Sequence, residues 1–146
     1  MDRNLIGQRT KVREILFKTK RKDNGEWVEG YYLNVAKINH FICAGKIKLN
    51  GAVKGILAPE MYEIDPDTLC QYTGLTDKNY KKIWENDIVV EEHKCTIITK
   101  YRVVFDLEEG AWMLETKSGA RYGIGTINQN NFEVIGNVFD NAERWW

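Results

Sequence analysis

The stretch that decides the fold runs from residue 67 to residue 90 and reads DTLCQYTGLTDKNYKKIWENDIVV. Its middle part, residues 71–79 (QYTGLTDKN), is rich in turn-forming residues and shows no sustained hydrophobic period. Its last four residues, Asp87 to Val90, are mostly β-branched and predict a strand that enters the C-terminal half. The stretch therefore predicts a turn-rich connection that leads into a strand.

Short strand-like runs flank this stretch on both sides. Residues 12–18 predict a strand, and Asn24-Gly25 predicts a tight turn because both residue types tolerate a positive φ. The other predicted elements are strands at 27–33, 53–57, 96–105, 111–116 and 132–139, a turn at 50–51 and a polar loop at 106–110. Many short strands separated by turns indicate an all-β fold, as a sandwich or a partial barrel.

Helix signals are weak throughout the chain. Residues 77–84 and 140–146 could each form one helical turn, but neither has an amphipathic stripe. Both prolines lie at 59 and 66, which places a soft boundary near residues 58–67. The sequence therefore predicts an N-terminal β unit (1–60) and a C-terminal β unit (61–146), or one continuous domain.

Composition excludes several classes of protein. The 146 residues carry 21 Lys+Arg and 21 Asp+Glu, which argues against a nucleic-acid binder that relies on domain-wide phosphate neutralisation. No apolar run is long enough for a membrane span, and the N-terminus has no secretory pattern. Three widely spaced cysteines are poor material for a disulfide scaffold. We expect a soluble, cytoplasmic protein with no membrane contact.

The candidate metal ligands are His40 with Cys43 and His93 with Cys95. Imidazole nitrogen and thiolate sulfur are good zinc ligands, and two pairs would supply four of them. His40 and Cys43 are an odd number of residues apart, however, so on an extended strand they face opposite sides. Ordinary buried cysteines and surface histidines are the preferred interpretation, and no metal site is predicted.

Catalytic groupings are equally scarce. Any cysteine could be paired with a histidine on paper, but no strained elbow marks a nucleophile. The acidic pairs at 65/67, 85/87, 91/92 and 108/109 are best interpreted as solvated loop acids, and the glycines at 119, 123 and 125 lack a P-loop context. We therefore predict a protein that is not an enzyme and that has no catalytic or cofactor-binding residues.

Two features suggest contact with other molecules. The basic run Lys18, Lys20, Arg21 and Lys22 could follow a nucleic-acid backbone, although a solvated hairpin tip is the commoner explanation. Trp145 and Trp146 end the chain, and two exposed tryptophans would be an apolar liability. We expect them to pack, either back on the sheet or on another subunit.

The opening stretch resembles the central signature of the YopX family of phage and prophage proteins. Residues 13–17, 27–31 and 102–114 are similar to its flanking strands, and residues 132–141 (FEVIGNVFDN) to its closing segment. The chain departs from the pattern at Cys70, Tyr80 and Asn86, where the family has glycine. Such turns either tolerate a left-handed residue or are rearranged. The resemblance implies an all-β body of several sheets with a partial SH3-like barrel, and it supplies no catalytic residues.

The signature residues have a structural interpretation. We expect Tyr72, Leu75, Ile83 and Trp84 to be core or interface anchors, and Asp87 to brace the loop. The turn formers are Gly74, Asp77 and Asn79, and the signature also contains Gln71 and Thr73.

Two functions remain open at this point. The first is a non-enzymatic phage or prophage accessory protein in the bacterial host's cytoplasm, which binds a phage or host protein or assembles with itself. The second is a nucleic-acid-associated small β-barrel module, an analogy at the level of fold alone.

Overall fold

The computed structural model describes residues 13–44, 60–92, 98–126 and 129–145, and it confirms the all-β class. The strands are β1 Phe17–Lys20, β2 Trp27–Val35, β3 Asn39–Ala44, β4 Glu60–Glu63, β5 Cys70–Thr76, β6 Lys82–Trp84, β7 Asp87–Glu92, β8 Ile98–Asp106, β9 Ala111–Glu115, β10 Arg121–Gly123 and β11 Phe132–Asn137. The helical elements are 3-10 turns at Pro66–Thr68, Ile124–Thr126 and Gln129–Asn131, and α1, Ala142–Trp145. No helix in the described ranges has the length and apolar character needed to cross a bilayer.

The first sheet has six antiparallel strands in the order β4-β3-β2-β1-β5-β6. The predicted turn at Asn24-Gly25 joins β1 to β2, with Gly25 at a φ of +71°. Strand β2 changes partner at Gly30, which pairs with Phe17 of β1, whereas Tyr31 pairs with Cys43 of β3. A side chain at position 30 would place its Cβ 2.2 Å from the Cys43 carbonyl oxygen, so the close approach requires glycine.

Two sequence predictions for this sheet need correction. The strand predicted at 12–18 begins only at Phe17, because β2 leaves β1 for β3 after Gly30 and offers earlier residues no partner. The segment predicted as turn-rich, 71–79, is mostly strand β5, and its turn begins only at Asp77. A register irregularity around Gly74, at a φ of +86°, interrupts the alternation and hides the strand from a pattern search.

The second sheet has five antiparallel strands in the order β10-β9-β8-β7-β11. It is open at both ends within the described ranges, so the predicted partial barrel is present as a sheet that does not close. Its core is a cluster of strand side chains whose fully buried members include Val103, Leu114 and Phe132. Helix α1 packs against β8 and β11.

Strand β6 joins the two sheets. It pairs with β5 in the first sheet, yet Ile83 is buried in the core of the second sheet. The next residue, Trp84, packs with Tyr72 in the core of the first sheet. Neighbouring side chains of a strand point to opposite faces, so this three-residue strand contributes to both cores.

The Asp77 carboxylate ties the turn before β6 to the second sheet. Its Oδ1 accepts hydrogen bonds from the Asn79 and Lys81 amides at 2.8 and 3.0 Å, and its Oδ2 accepts one from the Val134 amide of β11 at 2.9 Å. The residue is only 5 % exposed. Charge-assisted bonds of this kind are stronger than bonds between neutral groups, and they balance the cost of burying the carboxylate.

The Asp87 carboxylate braces the connection between β6 and β7. Its Oδ2 accepts a hydrogen bond from the Trp84 amide at 2.8 Å, and its Oδ1 lies 3.4 Å from the Lys18 ammonium of β1. Burial raises the pKa of Asp87 above its ordinary value, and the nearby Lys18 charge opposes that rise.

Positions 80 and 86, at which the family pattern has glycine, lie in turns. Both keep a backbone conformation typical of glycine. Tyr80 has a φ of +62° and Asn86 a φ of +66°, both in the left-handed region. Asparagine adopts this conformation at low cost, whereas tyrosine does not. The turns are therefore not rearranged, and Tyr80, which is 89 % exposed, is held in a strained conformation.

The sheets do not divide the chain at residue 60. Strands β3 and β4, which lie on either side of that position, pair with each other in the first sheet, and the second sheet begins at Asp87. The division into units 1–60 and 61–146 stays a prediction, because the limits of sheets and of domains need not coincide.

We predict that Asp77→Ala lowers the free energy of unfolding by about 3 kcal/mol, because the buried Val134 amide and the partly buried Asn79 and Lys81 amides lose their acceptor. Urea denaturation measures the change. Asp67→Ala removes an exposed carboxylate and serves as the control, with an expected change within about 0.5 kcal/mol. Equal effects of the two substitutions would contradict the role given to Asp77.

We predict that the stability of Asp87→Asn rises relative to the wild type as the pH increases from below 3.8, the ordinary aspartate pKa, towards neutrality. The folded chain has the higher Asp87 pKa, so it binds more protons than the unfolded chain, and this group's contribution is lost on deprotonation. Asparagine does not titrate. Urea denaturation at a series of pH values tests this, with Asp67→Asn as an exposed control; a shift in the wild type's favour would show that the Lys18 charge outweighs burial.

We predict that Tyr80→Gly raises the free energy of unfolding by about 1 kcal/mol, because glycine removes the left-handed strain. Tyr80→Ala removes the same exposed ring and keeps the strain, so it should bring no gain. Thermal and urea denaturation of both variants measure the difference. A gain in both variants would assign the effect to the exposed ring instead.

Candidate functional site

The signature residues meet where the two sheets join. The Tyr72 and Trp84 rings lie 5.4 Å apart, and Leu75 packs against the core that contains Ile83. The Thr73 hydroxyl donates to the Ile83 carbonyl at 2.7 Å and accepts from the Leu75 amide at 3.2 Å. These contacts are internal, so these residues hold the two sheets together.

Gln71 of β5 and Glu85, the residue after β6, extend this joint with two hydrogen bonds. The Glu85 amide donates to the Gln71 carbonyl at 2.9 Å, and the Gln71 amide donates to the Glu85 carboxylate at 3.2 Å. Asn79, by contrast, contributes its backbone amide to Asp77. Gly74 lies at the irregularity of β5, as described above.

Three lysines and three aromatic rings alternate along the junction of the sheets, and we call this arrangement the lysine–aromatic stack. The Lys18 ammonium lies 4.9 Å from the Trp27 ring centroid and 5.4 Å from that of Trp84. Cations over tryptophan faces are stabilised by the ring quadrupole, more so away from water. The members, in spatial order, are Lys20, Trp27, Lys18, Trp84, Lys82 and Tyr72.

Each lysine of the stack also has a carboxylate partner. Besides the contact of Lys18 with Asp87, Lys20 pairs with Asp140 at 2.5 Å and Lys82 with Glu29 at 3.3 Å. The Trp27 indole nitrogen donates to the same Asp140 at 2.6 Å. Asp87 and Asp140 follow the first sheet in the chain, so the stack links β1 and β2 to later segments.

The remaining cations of the predicted basic run are paired as well. Arg21 contacts Asp23 at 2.5 Å and lies over the Tyr62 ring, and Lys22 contacts Glu63 at 2.8 Å. All four basic residues of the run therefore lie beside a carboxylate. The run is a mixed-charge surface, which gives little support to a phosphate-binding strip.

Two cavities border this region. One, of about 650 Å³, lies beside the β1–β2 turn, and its walls include Lys20, Arg21, Lys22, His40 and Glu63. The other, of about 280 Å³, lies between the sheets, and we call it the inter-sheet cleft. It is lined by Lys18, Trp27, Glu29, Lys81, Trp84, Asp87, Val134 and Gly136.

An exposed apolar face covers one side of β2, β3 and β4. Alternate residues of β2 on this face, Tyr31, Leu33 and Val35, are 57, 42 and 52 % exposed, and Met61 of β4 is 47 % exposed. Cys43 lies between Tyr31 and Met61 in register. We call this surface the apolar face; its residues are Tyr31, Leu33, Val35, Phe41, Cys43 and Met61.

The apolar face was not singled out from the sequence. Tyr31 and Leu33 lie in a predicted strand, and their spacing of two residues places them on one side of it. Tyr32, on the other side of the strand, is also an aromatic residue. The pattern of apolar residues therefore does not indicate which side of the strand is exposed to solvent.

Trp145 packs within the chain. It is 8 % exposed, at the end of α1, and α1 contacts β8 and β11. Of the two arrangements considered from the sequence, folding back on the sheet is the one found for Trp145. Trp146 lies outside the described residues.

His40 and Cys43 are separated by the fold. His40 stacks on Tyr32 and its Nδ1 contacts the Tyr32 hydroxyl at 2.6 Å, whereas Cys43 belongs to the apolar face on the other side of β3. His93 and Cys95 lie outside the described residues. Within the part of the chain that the structure describes, no group of three or more His, Cys, Asp or Glu side chains could hold a metal ion.

Cys70 has the properties of a structural cysteine. It is fully buried, and its thiol donates to the Thr68 carbonyl at 3.4 Å. Burial raises the pKa of the Cys70 thiol to about 12. Because the thiolate is the reactive form, this side chain is a poor nucleophile at neutral pH.

Comparison with known proteins identifies the family but no activity. No curated protein matches the chain. Among solved structures, the crystal structure of protein EF1440 from Enterococcus faecalis is similar, with a TM-score of 0.59 and 21 % identity over 92 % of this chain and 100 % of that one. At that identity the likeness shows the fold alone. The family model of the YopX protein matches residues 16–145, which confirms the resemblance found from the signature; the chain belongs to the YopX family.

Proposed function

We propose that this YopX-family chain is a non-enzymatic accessory protein, of phage or prophage origin and acting in the host cytoplasm, that works through contact between proteins. The observation that carries the proposal is the apolar face. Its four most exposed members leave about half of each side chain in water; Tyr31, Leu33 and Val35 lie on β2 and Met61 lies on β4, with the partly buried Phe41 and Cys43 of β3 between them. Scattered exposed apolar residues are ordinary, but a contiguous group marks a contact surface.

We infer that the occupant of this face is a second copy of the chain. Glu63 pairs with Phe41 in register at the border of the face, and its carboxylate is already paired with Lys22. A surface without free charges has little means of selecting a foreign partner or rejecting its own kind. A two-fold arrangement, in which the same face meets itself, is the commonest form of self-association.

Packing of the two faces would follow the rules for stacked sheets. Sheets pack about 10 Å apart with interdigitated side chains, and each Å² of apolar surface removed from water contributes about 25 cal/mol. Tyr31 and Met61 lie on either side of Cys43, so the centre of the face presents one ring, one thioether and one thiol. Aromatic and methionine side chains are enriched at protein interfaces, so this composition is typical of a contact surface.

Nucleic-acid binding has weaker support. The basic residues proposed for it are each beside a carboxylate, and the chain has no net charge. Contact between proteins requires no excess of positive charge, so protein–protein contact is the function that the geometry supports best.

We predict that Leu33→Glu weakens self-association at least about tenfold, because it buries a charge in the contact. Sedimentation velocity and light scattering over a range of concentrations measure the association of the 17.0 kDa chain. Leu107→Glu is the matched control, since Leu107 is 88 % exposed in the loop between β8 and β9, far from the face in the strand order. A wild type that stays monomeric at every concentration would refute the second copy as occupant.

A further inference from the structure

We propose that Met61 is a modification site, at which a peroxide converts the thioether to a sulfoxide and thereby weakens the contact between two apolar faces. The inference rests on the proposed function, because it concerns the same surface, and it adds a chemical regulation to that surface. Self-association would then depend on the oxidation state of one side chain.

The exposure of Met61 makes it accessible to an oxidant in solution. The chain has three methionines. Met61 of β4 is 47 % exposed, whereas Met113 of β9 is half-buried in the second sheet, and Met1 lies outside the described residues. A thioether has no proton to lose before it reacts, so access to the side chain largely sets its rate of oxidation. Of the two described methionines, Met61 is therefore the one that a peroxide reaches more readily.

The position of Met61 makes its oxidation effective. Met61 lies directly opposite Cys43 of β3, and Cys43 lies directly opposite Tyr31 of β2, so the three side chains form one row across the apolar face. A sulfoxide is polar and accepts hydrogen bonds, and burying such a group among apolar side chains costs free energy. The modified residue would carry that cost into the middle of the contact.

The chemical step is balanced with hydrogen peroxide as the oxidant. The sulfur lone pair attacks one peroxide oxygen, an S–O bond forms and the O–O bond breaks. The second oxygen leaves and, after proton transfer, is released as water. The sulfur loses the two electrons that the peroxide gains, and the sulfoxide persists until a methionine sulfoxide reductase reduces it.

Association and oxidation oppose each other. A second copy seated on the apolar face covers Met61, so the free chain is the form that a peroxide attacks. Because the two equilibria are linked, a modification that weakens the contact must itself be disfavoured by the contact. Met61 should therefore be oxidised more slowly in a concentrated solution of the chain than in a dilute one.

The test treats the full chain with hydrogen peroxide and then with dithiothreitol, which reverses disulfides and sulfenic acids and leaves sulfoxides in place. Peptide mass spectrometry locates the sulfoxides, and sedimentation velocity measures association before and after treatment. We expect oxidation of Met61 to weaken association at least about fivefold, the effect of burying one polar group.

Three variants separate Met61 from the other oxidisable groups. Met61→Leu keeps the volume and the apolar character, so it should associate like the wild type and resist peroxide. Met61→Gln carries a polar group of similar length and should weaken association without peroxide. Met113→Leu is the matched control and should remain as sensitive to peroxide as the wild type.

The outcomes distinguish this inference from the proposed function. The inference is overturned if the chain with oxidised Met61 associates as before, if Met61→Leu loses association on treatment as the wild type does, or if Met61 is oxidised at the same rate in dilute and concentrated solution. An untreated wild type that associates, together with any of these results, leaves the self-association proposal intact. An untreated wild type that stays monomeric overturns both.

Discussion

The rest of the structure depends on one buried carboxylate, that of Asp77. This carboxylate accepts hydrogen bonds from three backbone amides, two in the turn before β6 and one in β11. These bonds fix the position of β6 relative to the second sheet. Only with β6 so placed can Ile83 enter one core while Trp84 enters the other. The family signature is in this sense a joint between sheets, which explains why it is rich in aspartate, glycine and aromatic residues.

The zero net charge of the chain is reached locally as well as in total. The basic run on β1 and the following turn meets acids that come from the same hairpin, from β4, from β7 and from the segment after β11. The lysine–aromatic stack adds cation–ring contacts to these ion pairs at the place where the sheets meet. The balance of charges is therefore part of the packing.

Much of the fold could be predicted from the sequence, because β2, β8, β9 and β11 have the residue types and turn signals of strands. Strand β5 could not, since the irregularity at Gly74 breaks its alternation, and β4 is too short to show a pattern. The basic run was found as a feature, but its acidic partners were not, because Asp87 and Asp140 lie far away in the chain. The apolar face and the cleft depend on which sides of strands are covered, and that information exists only in the assembled sheets.

The change of partner along β2 has a consequence for the order of folding during synthesis. The β2–β3 hairpin is local and can form as soon as residue 44 has left the ribosome. Strand β1 pairs with β2 on one edge, but its other edge stays unpaired until β5 has been made. The second half of β2 and strand β3 would thus present an apolar surface early in translation, before the second sheet exists. A nascent chain in this state is exposed to premature association with its neighbours on a polysome.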